Sequence, residues 1–331
     1  MDLGIVIVNW NVRELLAACL DSLYVDLAGS GLQARVCVVD NGSRDGSVEL
    51  VQAQFPRTRL VVSENRGMGA GNNLGLQTLA AEAAAPFFAY LILNPDTVVR
   101  AGALRQLVEH LRQNPRAGVA APKLRNADGS LQHAGFRFPG VVQAALDLFP
   151  PPGRWARLTD SPLNGRYPAA AYAVGTPFRV DHTLGAAFAV RAEALAAEPG
   201  RLFDESFYMY CEEIDAQWRL ARAGWEAWVV PGAEIVHLGG RSTAQVLTQS
   251  FVHLWTSRRR LYQRYHGPVV NGLVQALVGL AMRQRMRANH RRSQRGTLTP
   301  DQRAALNQML SEVAQVWQSR RPGPRRPAEG R

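Results

Sequence analysis

Over its first hundred residues the chain alternates short, fully apolar runs with longer segments that are apolar on one side. Gly4–Val8 and Arg35–Val39 are continuous runs rich in β-branched residues, the pattern of strands covered on both faces, and Leu60–Val62 and Phe87–Leu93 repeat it. Between them, Glu14–Leu27 places Leu15, Leu16, Cys19, Leu20 and Leu23 on one helical side. Ser47–Phe55, Asn72–Ala84 and Gly102–Arg112 read as further helices. Strands separated by helices of this length predict an α/β fold with a mostly parallel sheet flanked by helices. From about Gly140 to Tyr172 the periodicity fades and Pro, Gly and Ala accumulate, which predicts a long loop or mobile segment. Arg179–Val190 then reads as one strand. A helix ending at Ala223 and two short strands, Ala227–Val230 and Ala233–Leu238, follow.

Polar residues gather where the apolar runs stop. Asn9, Asp40 and Asp96 each lie at or just past the end of a strand, and ligands of open α/β sheets bind beyond the carboxyl ends of the strands. Asn and Asp are also ordinary turn formers, so each taken singly has that plainer explanation. Asp40 suits acceptance of a ring N–H from a pyrimidine base. Asp96 suits a divalent metal, Mg2+ or Mn2+, which takes one or two carboxylates plus phosphates. Gly67, Gly69, Gly71 and Gly75 open a helix whose backbone N–H groups suit phosphate. The segment matches neither GxGxxG nor a P-loop. Glu212 and Glu213 begin a helix behind an aromatic stretch and look like the edge of a pocket, where a general base needs reach and a suitable pKa. Asp215 is explained by an i,i+4 pair with Arg219. His237, taken alone, reads as an ordinary polar residue.

Charge adds a second region to this picture. Residues 241–331 carry 17 basic and 3 acidic side chains, net +14, while residues 1–240 carry 21 and 24, net −3. A basic tail calls for a polyanionic partner. Leu273, Leu277 and Leu280, with Val269, Val270 and Val274 beside them, form an apolar stripe bracketed by arginines. That pattern points to an anionic membrane surface rather than nucleic acid. Packing on the N-terminal domain or in a homo-oligomer is the alternative. The apolar tract Pro268–Met282 is shorter than the roughly 20 residues that span a bilayer. The start of the chain shows no secretory signal. The three cysteines form no CxxC pair, so neither a disulfide scaffold nor a Cys-rich zinc site is expected.

Taken in order, Ile5–Asn11, Val39–Ser43, Asn65–Gly75, Leu93–Asp96, Leu184–Ala187, Phe203–Glu205, Tyr210–Asp215, Ala223–Trp225 and Val236–Gly240 resemble the inverting family 2 glycosyltransferases. The closest likeness is to bacterial rhamnosyltransferase-type enzymes of cell-envelope polysaccharides. The resemblance implies a Rossmann-like GT-A domain at 1–242; beyond it the sequence reads as a helical basic extension at 243–317 and a disordered tail at 318–331. It implies that Asp40 holds the pyrimidine of a UDP- or dTDP-sugar, and that Asp96 holds the metal with His237 beside it. Asn9, Asn65, Gly67, Asn73, Gly185 and Glu212 would complete the nucleotide-sugar site. Glu213 stands where the family places its general base, usually an Asp, and Asn94 replaces the first acid of the DxD motif. The implied reaction is direct displacement onto a hydroxyl of a glycan or lipid-linked acceptor, at the cytoplasmic face of the cell membrane. A sugar-1-phosphate nucleotidylyltransferase and a non-catalytic scaffold are the alternatives. Asn9–Arg13 is not the phosphate loop that the first would need, and the carboxylates and His237 argue against the second.

Overall fold

The computed structural model describes residues 1–198, 200–239 and 247–319. Gly240, the domain boundary near 242 and the tail from 320 onward lie outside the described residues. Two compact units are present. The first comprises 1–138, 166–208 and 212–239, and the second 139–165, 209–211 and 247–319.

The strands of the first unit are β1 (Leu3–Asn9), β2 (Ala34–Asp40), β3 (Arg59–Val62), β4 (Ala89–Leu93), β5 (Thr97–Val99) and β6 (Ala117–Arg125). They continue with β7 (Leu131–Gln132), β8 (Gly135–Phe136), β9 (Phe178–Val180), β10 (His182–Thr183), β11 (Ala187–Arg191) and β12 (Glu226–His237). Its helices are α1 (Arg13–Ser30), α2 (Ser47–Gln54), α3 (Met68–Glu82) and α4 (Ala103–Gln113), and after α5 (Val141–Leu148), which belongs to the second unit, α6 (Ala169–Ala173) and α7 (Glu212–Arg222). The main sheet runs β3-β2-β1-β4-β11-β6-β12-β5, with β7 beside β6 and β9 beside β12. β3, β2, β1 and β4 are parallel, and β11 enters antiparallel between β4 and β6. Every residue of β1 and β4 is buried, as a sheet covered on both faces requires. On α4, Leu104, Leu107, Val108 and Leu111 face the core at helical spacing. Buried Asp26 accepts from the first-turn amides of Gly102 and Leu104 at the start of that helix.

Three expectations change. The run at 179–190 is not one strand: β9 joins β12, β10 pairs with β8 in a separate two-stranded sheet, and only β11 enters the main sheet. The two short strands at 227–238 are one strand, β12, whose register with β6 shifts between Val230 and Glu234. Pro231 lacks an N–H for the ladder, which is why the pattern breaks there without ending the strand. The stretch 140–172 is not a bare loop, since it holds α5, α6 and two 3-10 segments.

The second unit contains α5, α8 (Leu247–Tyr265), α9 (Pro268–Gln294) and α10 (Pro300–Gln318). Trp255, Tyr262, Val274, Val278, Met282, Val313 and Trp317 form its core. Trp317 donates its indole N–H to Trp255 O at 2.9 Å, and Tyr262 donates its hydroxyl to Gly140 O at 2.7 Å. The buried Arg259 guanidinium donates to Val316 O and Ser319 O, closing the carbonyl end of α10. This core also corrects the reading of the stripe on α9. Val274 is inside, Leu277 is partly inside, and Val269, Leu273 and Leu280 face out. No helix among the described residues is long and apolar enough to cross a membrane.

Helix α3 lies on β1 and β2, and glycines permit the approach. A Cβ on Gly71 would stand 2.9 Å from Val8 Cγ1, and one on Gly75 would overlap Val6 Cγ1. Overpacking of this kind costs about 1–3 kcal/mol, more than the roughly 0.5–1 kcal/mol that Ala gains over Gly in a helix. Gly75→Ala should therefore lower the urea midpoint with an unchanged denaturant slope; a midpoint at or above that of the parent would show that α3 does not rest on β1.

Candidate active site

The ends of β1, β2 and β4, the start of antiparallel β11 and the end of β12 share one edge of the sheet. Asn9 and Asp40 are register partners there. Asn9 Nδ2 donates to Asp40 Oδ1 at 2.9 Å and to Ser43 Oγ at 3.1 Å, while Ser43 N donates to Asp40 Oδ2 at 2.8 Å. Asp40 is only 1% exposed, so both its oxygens are fixed by the turn they end in. Asn11, at φ 52°, folds the chain back so that its amide oxygen receives Arg44 N at 2.8 Å. Asn9 Oδ1 is buried without a hydrogen-bond partner among the described residues.

On the other side of β1, Asp96 follows β4, and His237 closes β12 opposite Thr97. The backbone fixes this pair, because Leu238 N donates to Asp96 O at 2.9 Å. His237 Nε2 stands 3.4 Å from Asp96 Oδ1. On the other side of the ring, Nδ1 faces Gln132 Oε1 at 2.8 Å. Gln132 Nε2 is committed to Asn126 Oδ1 at 3.0 Å, so Oε1 is the acceptor and Nδ1 the donor. The other ring nitrogen, Nε2, is turned towards the carboxylate of Asp96. Sequence reading missed Gln132, which sits on a two-residue strand in a stretch without periodicity.

Helix α7 brings the acidic pair to the same edge. Gln217 fastens α7 to β10, accepting from Thr183 N at 2.7 Å and donating to Thr183 O at 3.1 Å. Gly185 follows, and a Cβ there would meet Glu213 Cγ at 3.3 Å. Its neighbour Ala186 accepts from Asn94 N at 2.8 Å, which sets the start of α7 beside the segment carrying Asp96. Glu213 is half-buried and Glu212 is buried, with Glu212 Oε2 meeting no hydrogen-bond partner among the described residues. Burial first, and the charge of Glu213 second, push the Glu212 carboxyl well above the usual carboxylate range. Asp215 pairs with Arg219 at 3.1 Å, the i,i+4 contact that its spacing suggests.

The glycine turn is occupied differently from the expectation. Gly67 N donates to Asn65 Oδ1 at 3.2 Å, and Met68 N to Tyr208 O at 3.1 Å, so these two amides are spent within the unit rather than left for phosphate. Gly67, at φ 99°, lies where a Cβ would overlap the Tyr208 carbonyl. Asn65 is exposed and also accepts from Tyr208 Oη at 3.3 Å. Asn73 is buried and gives its whole amide to residues 202–205. The edge thus gathers Asn9, Asp40, Asp96, Gly185, Glu212, Glu213 and His237, whereas Gly67 and Asn73 hold the segment that leads to α7.

Among the described residues no group of three or more His, Cys, Asp or Glu could hold a metal ion by itself. The family model of glycosyl transferase family 2 matches residues 4–138. An N-acetylglucosaminyl-diphospho-decaprenol L-rhamnosyltransferase of Mycobacterium tuberculosis is 30% identical over 220 residues, covering 63% of this chain and 68% of the relative. A low-salt glycan biosynthesis hexosyltransferase of Haloferax volcanii is 28% identical over 224 residues, covering 67% of this chain and 62% of its own length. Among solved structures, a mannosyltransferase of Pyrobaculum calidifontis in complex with GDP-Man and Mn2+ aligns with TM-score 0.53 and 16% identity, over 95% of this chain and 85% of that one. GalNAc-T7 with UDP, GalNAc and Mn2+ aligns with TM-score 0.53 and 13% identity, over 80% of this chain and 48% of that one. At such identities these structures show the fold, and the mycobacterial relative shows the family. The chain belongs to glycosyl transferase family 2, as a GT-A-fold enzyme of the hexosyltransferase type that is rhamnosyltransferase-like in sequence.

Proposed function

We propose that the protein moves rhamnose or a similar sugar from a dTDP- or UDP-sugar to a hydroxyl of a lipid-linked or cell-envelope glycan acceptor, in one inverting displacement. The observation that carries this reading is the meeting of the Asp96 carboxylate and His237 Nε2 at the sheet edge that also holds Asp40 and Glu213. A carboxylate and an imidazole nitrogen facing each other at 3.4 Å fit a shared cation. Mg2+ and Mn2+ phosphate sites commonly use only one or two protein ligands, so this pair would suffice to hold such an ion. Asn94 and Pro95 offer no charge, so Asp96 and His237 would hold the ion. A bound ion would supply neutralisation of the diphosphate charge.

The chain's own residues do the rest. Asp40, held rigid by Asn9 and Ser43, accepts the pyrimidine ring N–H. Glu213 removes the acceptor proton as the acceptor oxygen bonds to the anomeric carbon. The bond from that carbon to the diphosphate oxygen breaks on the opposite side, and the electron pair leaves with the nucleoside diphosphate. One base suffices and no covalent intermediate forms, so the anomeric configuration inverts. Gln132 holds the His237 ring so that Nε2 faces Asp96. Burial and the charge of Glu213 favour the neutral form of Glu212, which limits the negative charge of the pair. The mycobacterial relative acts on a diphospho-decaprenol acceptor, and this supports a lipid-linked acceptor here. The +14 tail supports peripheral association with the inner face of the membrane.

Three measurements test the reading. Glu213→Gln keeps the shape and removes the proton acceptor, so turnover should fall by about 10²-fold or more with donor affinity retained; a larger loss from Glu212→Gln would exchange the two roles. Asp40→Ala should weaken UDP or dTDP binding in calorimetry by about 1–3 kcal/mol, and equal affinity in both proteins would remove Asp40 from the base site. The third concerns Glu212 and pH. The unfolded chain releases this proton near the ordinary value of 4.5, and the folded chain only well above it. The folded state therefore binds more protons across that window, and stability falls as pH rises through it. Glu212→Gln should raise the melting temperature relative to the parent at pH 8 and leave little difference near pH 4; the same difference at both pH values would show that burial of the charge is not what destabilises the fold.

A further inference from the structure

Helix α9 has two faces of opposite fate. Val274, Val278, Ala281 and Met282 are locked in the core of the second unit. On the other side, Val269 is 75%, Leu273 51% and Leu280 42% exposed, with exposed Ala276 between them. Continuing along the same line come Arg283, Arg287 and Arg291, also exposed. At 100° per residue these seven positions fall within a sector of about 80°, and at 1.5 Å per residue they form a stripe about 33 Å long. The stripe is apolar over its first half and cationic over its second. Helix α9 contains no acidic residue, so no arginine on it has an i,i+4 carboxylate partner.

From this face we infer that α9 is a tilted membrane-docking helix. Val269, Leu273, Ala276 and Leu280 enter the acyl boundary of an anionic bilayer, and Arg283, Arg287 and Arg291 stay at the phosphate level. The inference deepens the membrane placement proposed above and rests on it. Charge selects the occupant. A second copy of the chain, packed parallel, would set arginine stripe against arginine stripe. Packed antiparallel, it would bury arginines on leucines without a counter-charge. Nucleic acid would leave the apolar half unused. An anionic lipid surface satisfies both halves, with hydrocarbon for one and phosphate for the other. The order of the halves sets the tilt, with the Pro268 end of the helix deeper than the Gln294 end.

The test uses the full chain and vesicles of phosphatidylglycerol mixed with phosphatidylcholine, against vesicles of phosphatidylcholine alone. The parent should sediment with the anionic vesicles at low salt and be released at high salt. Leu273→Glu with Leu280→Glu should abolish sedimentation, while Val25→Glu, at a 74% exposed position of the first unit, should not. Each of Arg283→Ala, Arg287→Ala and Arg291→Ala should lower the partition coefficient about fivefold. Cys19, Cys37 and Cys211 are all buried, so a polarity-sensitive dye on Leu273→Cys or Arg291→Cys reports its own position. The dye at 273 should shift strongly to the blue on anionic vesicles and the dye at 291 only weakly. Equal shifts would overturn the tilt. Undiminished sedimentation of the double Leu variant would overturn α9 as the docking face, and failure of the parent to sediment would overturn the membrane placement as well. A concentration-dependent dimer abolished by the double Leu variant, without vesicle binding by the parent, would assign the face to a second copy. Hydrolysis of the donor sugar, measured without vesicles, reads the catalytic proposal separately and should be the same in the parent and the Leu variants.

Discussion

Asn73 is a helical residue with all of its side-chain hydrogen-bonding capacity directed at one segment of chain, residues 202–205. Its Nδ2 donates to Phe203 O and Glu205 Oε1, and its Oδ1 accepts from Leu202 N and Phe203 N. The residue is 1% exposed, so water cannot replace any bond that is lost, and each unpaired group would cost about 1–3 kcal/mol. The amide clamps residues 202–205 to α3, and the close fit of Gly67 on the Tyr208 carbonyl clamps the next few. Helix α3 is in turn pressed onto β1 and β2 through Gly71 and Gly75. The approach to α7 is thereby tied to the strands that carry Asn9 and Asp40. The nucleotide and carboxylate parts of the proposed site share one mechanical frame.

The sheet solves a related problem with mixed strand direction. A parallel sheet gathers its carboxyl ends at one edge, and β1, β2 and β4 deliver Asn9, Asp40 and Asp96 there in the expected way. Running β11 antiparallel places its beginning at that edge, so the residues before it, Gly185 and Ala186, also serve the site. Gly185 has no side chain to contribute. Its value is the room it leaves for Glu213, whose Cγ would stand 3.3 Å from a Cβ at that position.

The parallel half was legible in the sequence because its signals are local. Continuous β-branched runs mark strands buried on both faces, and an Asn or Asp at the end of each marks the edge. The other half obeys longer-range rules. In β6, Pro122 and Lys123 interrupt the apolar run, yet the strand survives because β11 and β12 flank it. In β12, Pro231 and Gly232 look like a stop, and only the register shift against β6 shows that they are a bulge. Gln132 carries no periodic signal, and its role depends on a histidine 105 residues away in the chain. The glycines at 67–75 were legible as special positions but not as packing surfaces, since a sequence does not say whether a missing Cβ makes room for phosphate or for a strand. In sequence the stripe on α9 forms one face, and the core of Val274, Val278 and Met282 divides it into two.

The order of the strands in space has a consequence for how the enzyme is made. β12 is the last strand in the chain among the described residues, yet it lies inside the sheet, between β6 and β5. A growing chain can collapse its parallel half as soon as β4 has emerged, because β1 to β4 are neighbours in sequence as well as in space. The other half must wait with β6 and β5 unpaired on the sides that β12 will cover. His237 arrives at the end of this strand, so the part of the proposed site that handles phosphate is assembled at the close of domain synthesis. A nascent or prematurely terminated chain would hold the Asn9–Asp40 turn but lack the Asp96–His237 pair.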